Sequence, residues 1–154
     1  MRHLHWFRTD IRLNDNPALA SHAAADSLLC LFLMPKPKPW CNLTGIGAQR
    51  DRFLRESLIE LKQDLQALGQ DLLVLEGSPE LVIPHLVERY GITEVSVSDH
   101  PGWEEKQSVA YLAGKLDVPI QIHPVIPYLP RLICQWRLKT CQRCSPPSDE
   151  RLKN

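Results

Sequence analysis

Arg8, Asp10, Arg12 and Asp15 put charges of alternating sign directly after an apolar run holding Leu4, Trp6 and Phe7. Guanidinium groups interleaved with carboxylates can serve two ends. They can pair with one another and with neighbouring loops as a structural knot, in which a carboxylate held between Arg8 and Arg12 orders the loop through charge-assisted hydrogen bonds. They can also face a ligand, because the carboxyl ends of strands are where open α/β sheets bind small molecules.

The elements that must position these charges follow from the flanking text. Residues 2–7 are suited to a pleated, buried strand. Asp15-Asn16-Pro17 is a turn signal, and Pro17 is pre-set for the first position of a helix over 17–24. The run Leu28-Leu29-Cys30-Leu31-Phe32-Leu33 within 27–34 reads as a strand buried on both faces. Three prolines in Pro35-Lys36-Pro37-Lys38-Pro39 predict a loop over 35–45. The spacing then predicts a long helix over 46–68, with Phe53, Leu54, Leu58, Leu61, Leu65 and Leu68 as one apolar stripe and Gly69 as its stop. A strand follows at 72–75. Ser78-Pro79-Glu80 reads as an N-cap, first helical residue and acidic first turn, and Pro84 should shift or kink that helix. Residues 93–98 alternate, with Val95 and Val97 on one face. A helix over 102–116 buries Val109, Leu112 and Leu116, and 120–123 is the fifth strand. This β-α-β repetition predicts a parallel, five-stranded Rossmann-like α/β sheet with helices on both faces, then an irregular tail.

Such a sheet gathers Arg8, Asp10, Arg12, the loop 35–45, Gly77 and Asp99-His100-Pro101-Gly102-Trp103 around one crevice. Other groups carry less. Gly45-Ile46-Gly47 lacks the third glycine of a dinucleotide fingerprint and the Lys-Ser/Thr of a P-loop. Cys141-x-x-Cys144 with Cys134 and His123 is a loose match to a Cys₃His zinc set. No metal site is expected. His3, His5, His22, His85 and His123 are scattered and read as surface or satisfied core residues. No Ser/His/Asp order or carboxylate pair stands out, so no catalytic residue is assigned.

The chain has 154 residues, 18 basic and 18 acidic, and formal charge zero. That is one domain with enough core to fold alone, and it carries no electrostatic footprint for nucleic acid or membrane. No stretch is long and apolar enough to span a bilayer, and Arg2, His3 and Arg8 argue against a secretory leader. Cys30 and Cys41 lie apart, which fits free thiols and a cytoplasmic setting.

The first run, Trp6-Phe7-Arg8-x-Asp10-x-Arg12-Leu13-x-Asp15-Asn16-x-Ala18-Leu19, resembles the opening of the DNA photolyase/cryptochrome family. Gly47-Ala48-Gln49-Arg50, Phe53-Leu54-x-x-Ser57-Leu58, Leu68-Gly69-x-Asp71-Leu72 and Glu76-Gly77-Ser78-Pro79-Glu80-x-Val82-x-Pro84 continue the likeness, in wording nearest the cryptochrome-DASH branch. It covers about residues 3–123. The resemblance implies an antenna domain whose crevice holds an auxiliary chromophore, often a folate, against a second, helical domain. Thr44 falls where some members have a folate-contacting histidine, and His100 near a position where folate-binding members have a glutamate. A neutral histidine can accept only one hydrogen bond from a pterin. That departure counts against a folate; Arg8, Asp10, Thr44 and His100 are the candidate cofactor-binding set, with a small heteroaromatic molecule as the ligand class.

After Val125 the pattern is lost. Five of the 13 prolines and three of the five cysteines fall in residues 124–154. Back-translation with synonymous codons, and one inserted cytosine in the Pro124 codon, restores a text that opens His-Pro-Gly-His-Thr-Leu-Phe-Thr-Glu-Ala-Asp-Leu-Pro and is similar to the family at this point. The expectation is a domain over 1–123 and a frameshifted tail over 124–154. On this reading the chain is a truncated antenna domain, not photoactive alone. It is expected to hold no cofactor and no DNA by itself, since the family's FAD site and DNA-binding groove belong to the helical domain. A stand-alone small-ligand or partner-binding module is the alternative.

Overall fold

The computed structural model describes residues 1–35, 39–40, 43–44 and 46–124. In chain order the elements are β1 (Arg2–Phe7), α1 (Pro17–Ala20), β2 (Ser27–Met34), β3 (Pro39–Trp40), β4 (Leu43–Thr44), α2 (Ala48–Ala67), β5 (Leu72–Glu76), α3 (Pro79–Tyr90), β6 (Glu94–Ser98), α4 (Trp103–Lys115) and β7 (Ile120–His123). Five strands form one sheet in the order β5-β2-β1-β6-β7, every pair parallel. The predicted α/β class and all five of its strands are thus present. The chain runs outward from β1 through β2 to β5, then returns to the other side of β1 for β6 and β7. The direction of winding reverses between β1 and β6.

Two cores sandwich the sheet. On one face Leu4, Trp6, Leu31, Leu33, Val95 and Val97 pack under Ile83 and Leu86 of α3 and Val109 and Leu112 of α4. On the other, Phe7, Cys30, Phe32 and Leu72 pack under Leu58, Leu61 and Leu65 of α2, while α1 lies against β6 and β7. Helices on both faces bury β1 from His3 to Phe7 and the centre of β2 from Cys30 to Leu33, the latter as its unbroken apolar text predicts.

The α2 stripe is narrower than its spacing suggests. Phe53 and Leu68 are 70% and 71% exposed. Phe53 lies about 80° around the helix from Leu61 at 100° per residue, and Leu68 is the C-cap, past the last turn. The loop reading of 35–45 also needs correction, since Pro39 pairs with Thr44 and Trp40 with Leu43 in a small antiparallel ribbon. Proline is tolerated there because a strand with a free edge needs no inward N–H.

Helix ends follow local chemistry. Asn16 caps α1, accepting from Leu19 N at 3.0 Å, with Pro17 next. Helix α1 stops at Ala20 rather than continuing to Ala24. Beyond it the bonds tighten to i→i+3, His22 N to Leu19 O and Ala23 N to Ala20 O. Ser78 begins α3 but does not cap it, because its hydroxyl donates to Glu80 instead. Pro84 sits inside α3 without ending it. Proline removes the bond to the carbonyl four residues back, and that carbonyl, Glu80 O, accepts from Lys115 Nζ of α4 at 3.2 Å.

Candidate functional site at the β1–β6 switch point

The loops after β1 and β6 leave toward opposite faces, the first into α1 and the second into α4. The strand order reverses between them, the switch point at which a doubly wound sheet offers a crevice to ligands. Asp10 and Ser98 are joined there. Ser98 ends β6, and its hydroxyl donates to Asp10 Oδ2. Asp10 is buried, yet its Oδ1 has no hydrogen-bond partner. Such an acceptor costs free energy unless something meets it.

The side-chain hydrogen bond of Asp10 goes to Ser98, and its carboxylate also acts electrostatically on Arg8. Arg8 is half-buried, and its guanidinium lies 5.0 Å from the centroid of the Trp6 ring. Burial lowers the Arg8 pKa, while Glu105, Asp10 and Asp99 act in the opposite sense. Arg8 therefore sits at a rim shared by the loop after β1, the loop after β6 and the first turn of α4.

His100 also stands at this rim. Its backbone N–H donates to Asp99 Oδ1 at 2.8 Å, and its Nδ1 accepts from Gly102 N at 3.0 Å. The accepting lone pair is thus used by the backbone, and the neutral ring keeps only Nε2–H to offer a ligand. A side chain at Gly102 would collide with His100 Nδ1 and with Glu105, so glycine permits the turn into α4. Beside it, Trp103 is 71% exposed. Arg8, Asp10 and His100 come to one edge of the sheet. Thr44 lies in the β3–β4 ribbon, and its backbone pairs with Pro39. The loose Cys₃His set depends on Cys134, Cys141 and Cys144, which lie outside the described residues.

Ser98 and Glu105 carry no sequence signal of a role here. Ser98 alternates with Val95 and Val97 as a solvent-facing residue would, but both faces of β6 are covered, so Ser96 and Ser98 are buried too. Three of the histidines read as scattered come together: His3 and His5 of β1 meet His22 from the turn after α1, all three buried. His5 Nδ1 lies 2.7 Å from Ser96 Oγ, and His22 Nε2 bonds the same hydroxyl. Burial, with His22 and His123 nearby, lowers His5 to about 3. Burial and His3 lower His22 to about 4.

The DNA photolyase family model matches residues 3–125. The chain belongs to this family. It is 36% identical over 126 residues to Cryptochrome-2 of Gallus gallus, covering 79% of this chain and 21% of that protein. It is 34% identical over 116 residues to Cryptochrome DASH of Natronomonas pharaonis, covering 73% of this chain and 24% of the other. The structure resembles the Synechocystis cryptochrome with TM-score 0.73 and 25% identity, over 79% of this chain and 26% of that one. A class III photolyase from Agrobacterium tumefaciens shares the fold at TM-score 0.69 and 20% identity, over 80% and 25% of the two chains. The chain therefore spans about a quarter or less of the length of these relatives. In this photolyase-family domain no described helix is long and apolar enough to cross a membrane.

Proposed function

We propose that these residues form the N-terminal α/β domain of a photolyase/cryptochrome-like protein and that the β1–β6 crevice is its ligand- or partner-facing edge. The observation that carries this reading is the buried Asp10, whose Oδ1 lacks a partner at the switch point. Around it stand Arg8 as a cation, His100 Nε2–H as a donor and the exposed Trp103 ring. That set suits a flat heteroaromatic ligand with both donor and acceptor edges, such as a pterin. Such a ligand is the antenna chromophore that the family resemblance implies. Flavin-dependent DNA repair or photoreception is assigned to the longer protein, because this domain covers so little of its relatives. The residues after Pro124 are assigned to a frameshifted tail rather than to a second domain.

The test is spectroscopic. Purified chain should carry no stoichiometric flavin absorbance and should not bind a thymine-dimer oligonucleotide in a salt-sensitive manner. A reduced folate added to it should bind, and D10N should weaken that binding about tenfold, the scale of one lost hydrogen bond to a charged group. Bound flavin would overturn the division of labour between domains. Absence of folate binding would overturn the crevice reading and leave the partner domain as its occupant.

A further inference from the structure

The strongest polar feature outside the crevice lies at the opposite, N-terminal end of the strands. His3 of β1 pairs in register with Glu94 of β6, and His5 with Ser96, so all four share one face of the sheet. The turn after α1 lowers His22 onto that face. His3 and His22 are buried, Glu94 is half-buried, and one ligand atom from each lies within 4.8 Å of the others. His3 Nδ1 and His22 Nδ1 are 2.9 Å apart.

The hydrogen bonds around Ser96 decide which nitrogens are bare. Its hydroxyl donates to Ala18 O at 3.3 Å. Its oxygen then accepts from both imidazoles that reach it, His5 Nδ1–H and His22 Nε2–H. A serine hydroxyl has one donor and two lone pairs, and all three are used. With Nε2–H committed, the lone pair of the neutral His22 ring is on Nδ1 and points at His3. This is the arrangement usual for metal-bound histidine, in which the far ring N–H is held by an oxygen that orients the ring.

We propose that His3 Nδ1, His22 Nδ1 and the Glu94 carboxylate bind a divalent transition-metal ion of the zinc class, with a fourth position for water. Two imidazoles and a carboxylate are a standard donor set for such an ion. Two nitrogens on one tetrahedral ion stand about 3.3 Å apart at bond lengths of about 2.05 Å. The His22 ring, carried by a turn rather than a helix, needs to move by only a few tenths of an ångström. Without metal, His3 donates Nδ1–H to His22. On binding, that proton passes through solvent to His3 Nε2, and the charge of the ring is unchanged. The ion would tie β1, the turn after α1 and β6 together, away from the crevice.

The test is titration of the chelator-stripped full chain with Co²⁺ and Zn²⁺. One equivalent of Co²⁺ should give visible bands of nitrogen and oxygen ligation, displaced by Zn²⁺. E94Q, which keeps the shape, should weaken binding by more than about tenfold, as should H22A. The double variant C141S/C144S should bind as the parent does. Long-range proton–nitrogen spectra should show His22 protonated at Nε2 and metal-shifted at Nδ1. Absence of binding in the parent, unchanged binding in E94Q, or a thiolate charge-transfer band lost in C141S/C144S would each overturn the proposal. Should H22A unfold, E94Q and the spectra still decide it.

Discussion

The Ser98 hydroxyl donates to Asp10 Oδ2 across 88 residues of sequence, and this bond joins the loop after β1 to the end of β6. The other carboxyl oxygen of Asp10 is buried without a hydrogen-bond partner. Removing one partner should expose its size. S98A leaves both Asp10 oxygens unmet in a buried place and should cost about 1–3 kcal/mol. D10A should cost a similar amount, and D10N less, since an amide oxygen can still accept from Ser98. Urea denaturation midpoints decide it, and parental midpoints in S98A and D10A would remove the bond from the account of stability.

The buried histidines predict a loss of stability in mild acid. His5 falls from 6.5 to about 3 in the folded protein, chiefly through burial. His22 falls to about 4 for the same first reason. The groups facing them are His3, His123 and Glu94, from β1, β7 and β6. A depressed folded pKa means that the unfolded chain takes the proton first. The contribution is therefore complete above about pH 6.5 and is lost as pH falls toward 4 and then 3. In chelator-treated buffer the urea midpoint should drop between pH 6.5 and 4.5, before most carboxylates titrate. A flat profile over that window would contradict the neutral, buried cluster.

Cys30 is fully buried in β2, and burial raises its thiol to about 11. The thiolate is the reactive form. Iodoacetamide at neutral pH should spare Cys30 in the native protein and label it in urea, as peptide mapping by mass spectrometry would show. Labelling in the native state would mean that β2 opens readily.

The two ends of the apolar α2 stripe should behave differently. Leu61 is 3% exposed and Phe53 is 70% exposed. L61A should cost about 2–5 kcal/mol, the range for a large core side chain cut to alanine. F53S should change stability by no more than about 0.5 kcal/mol. Equal losses in thermal denaturation would place Phe53 in a contact that the domain fold does not supply.

A chain ended at Pro124 should melt within about 1 kcal/mol of the full chain, because it keeps all five strands of the described sheet, through β7 at His123. A large fall in melting temperature would make the remaining residues part of the core and would count against their assignment to a frameshifted tail.

Local text determined the elements. Asn16-Pro17 starts α1, Gly69 with φ of 78° follows α2, and Gly91 with φ of 59° ends α3. Each acts through its own backbone preference or a bond to a near neighbour, so each is visible in a short window. The unbroken apolar text of β2 likewise announces a strand covered on both sides. The charged run after β1 lies at the carboxyl edge of the parallel sheet. Other features were decided only by tertiary structure. The bond from Ser98 to Asp10 and the meeting of His3, His5 and His22 with Glu94 and Ser96 depend on the parallel register of β1 with β6. That register pairs residues 91 apart in the chain, as in His5 with Ser96. A slip of β6 by one residue would turn Glu94, Ser96 and Ser98 to the other face. Hydrophobic alternation can say that Val95 and Val97 point together. It cannot say that a helix also covers Ser96 and Ser98, because what lies on the far face of a strand is set by crossovers elsewhere in the chain.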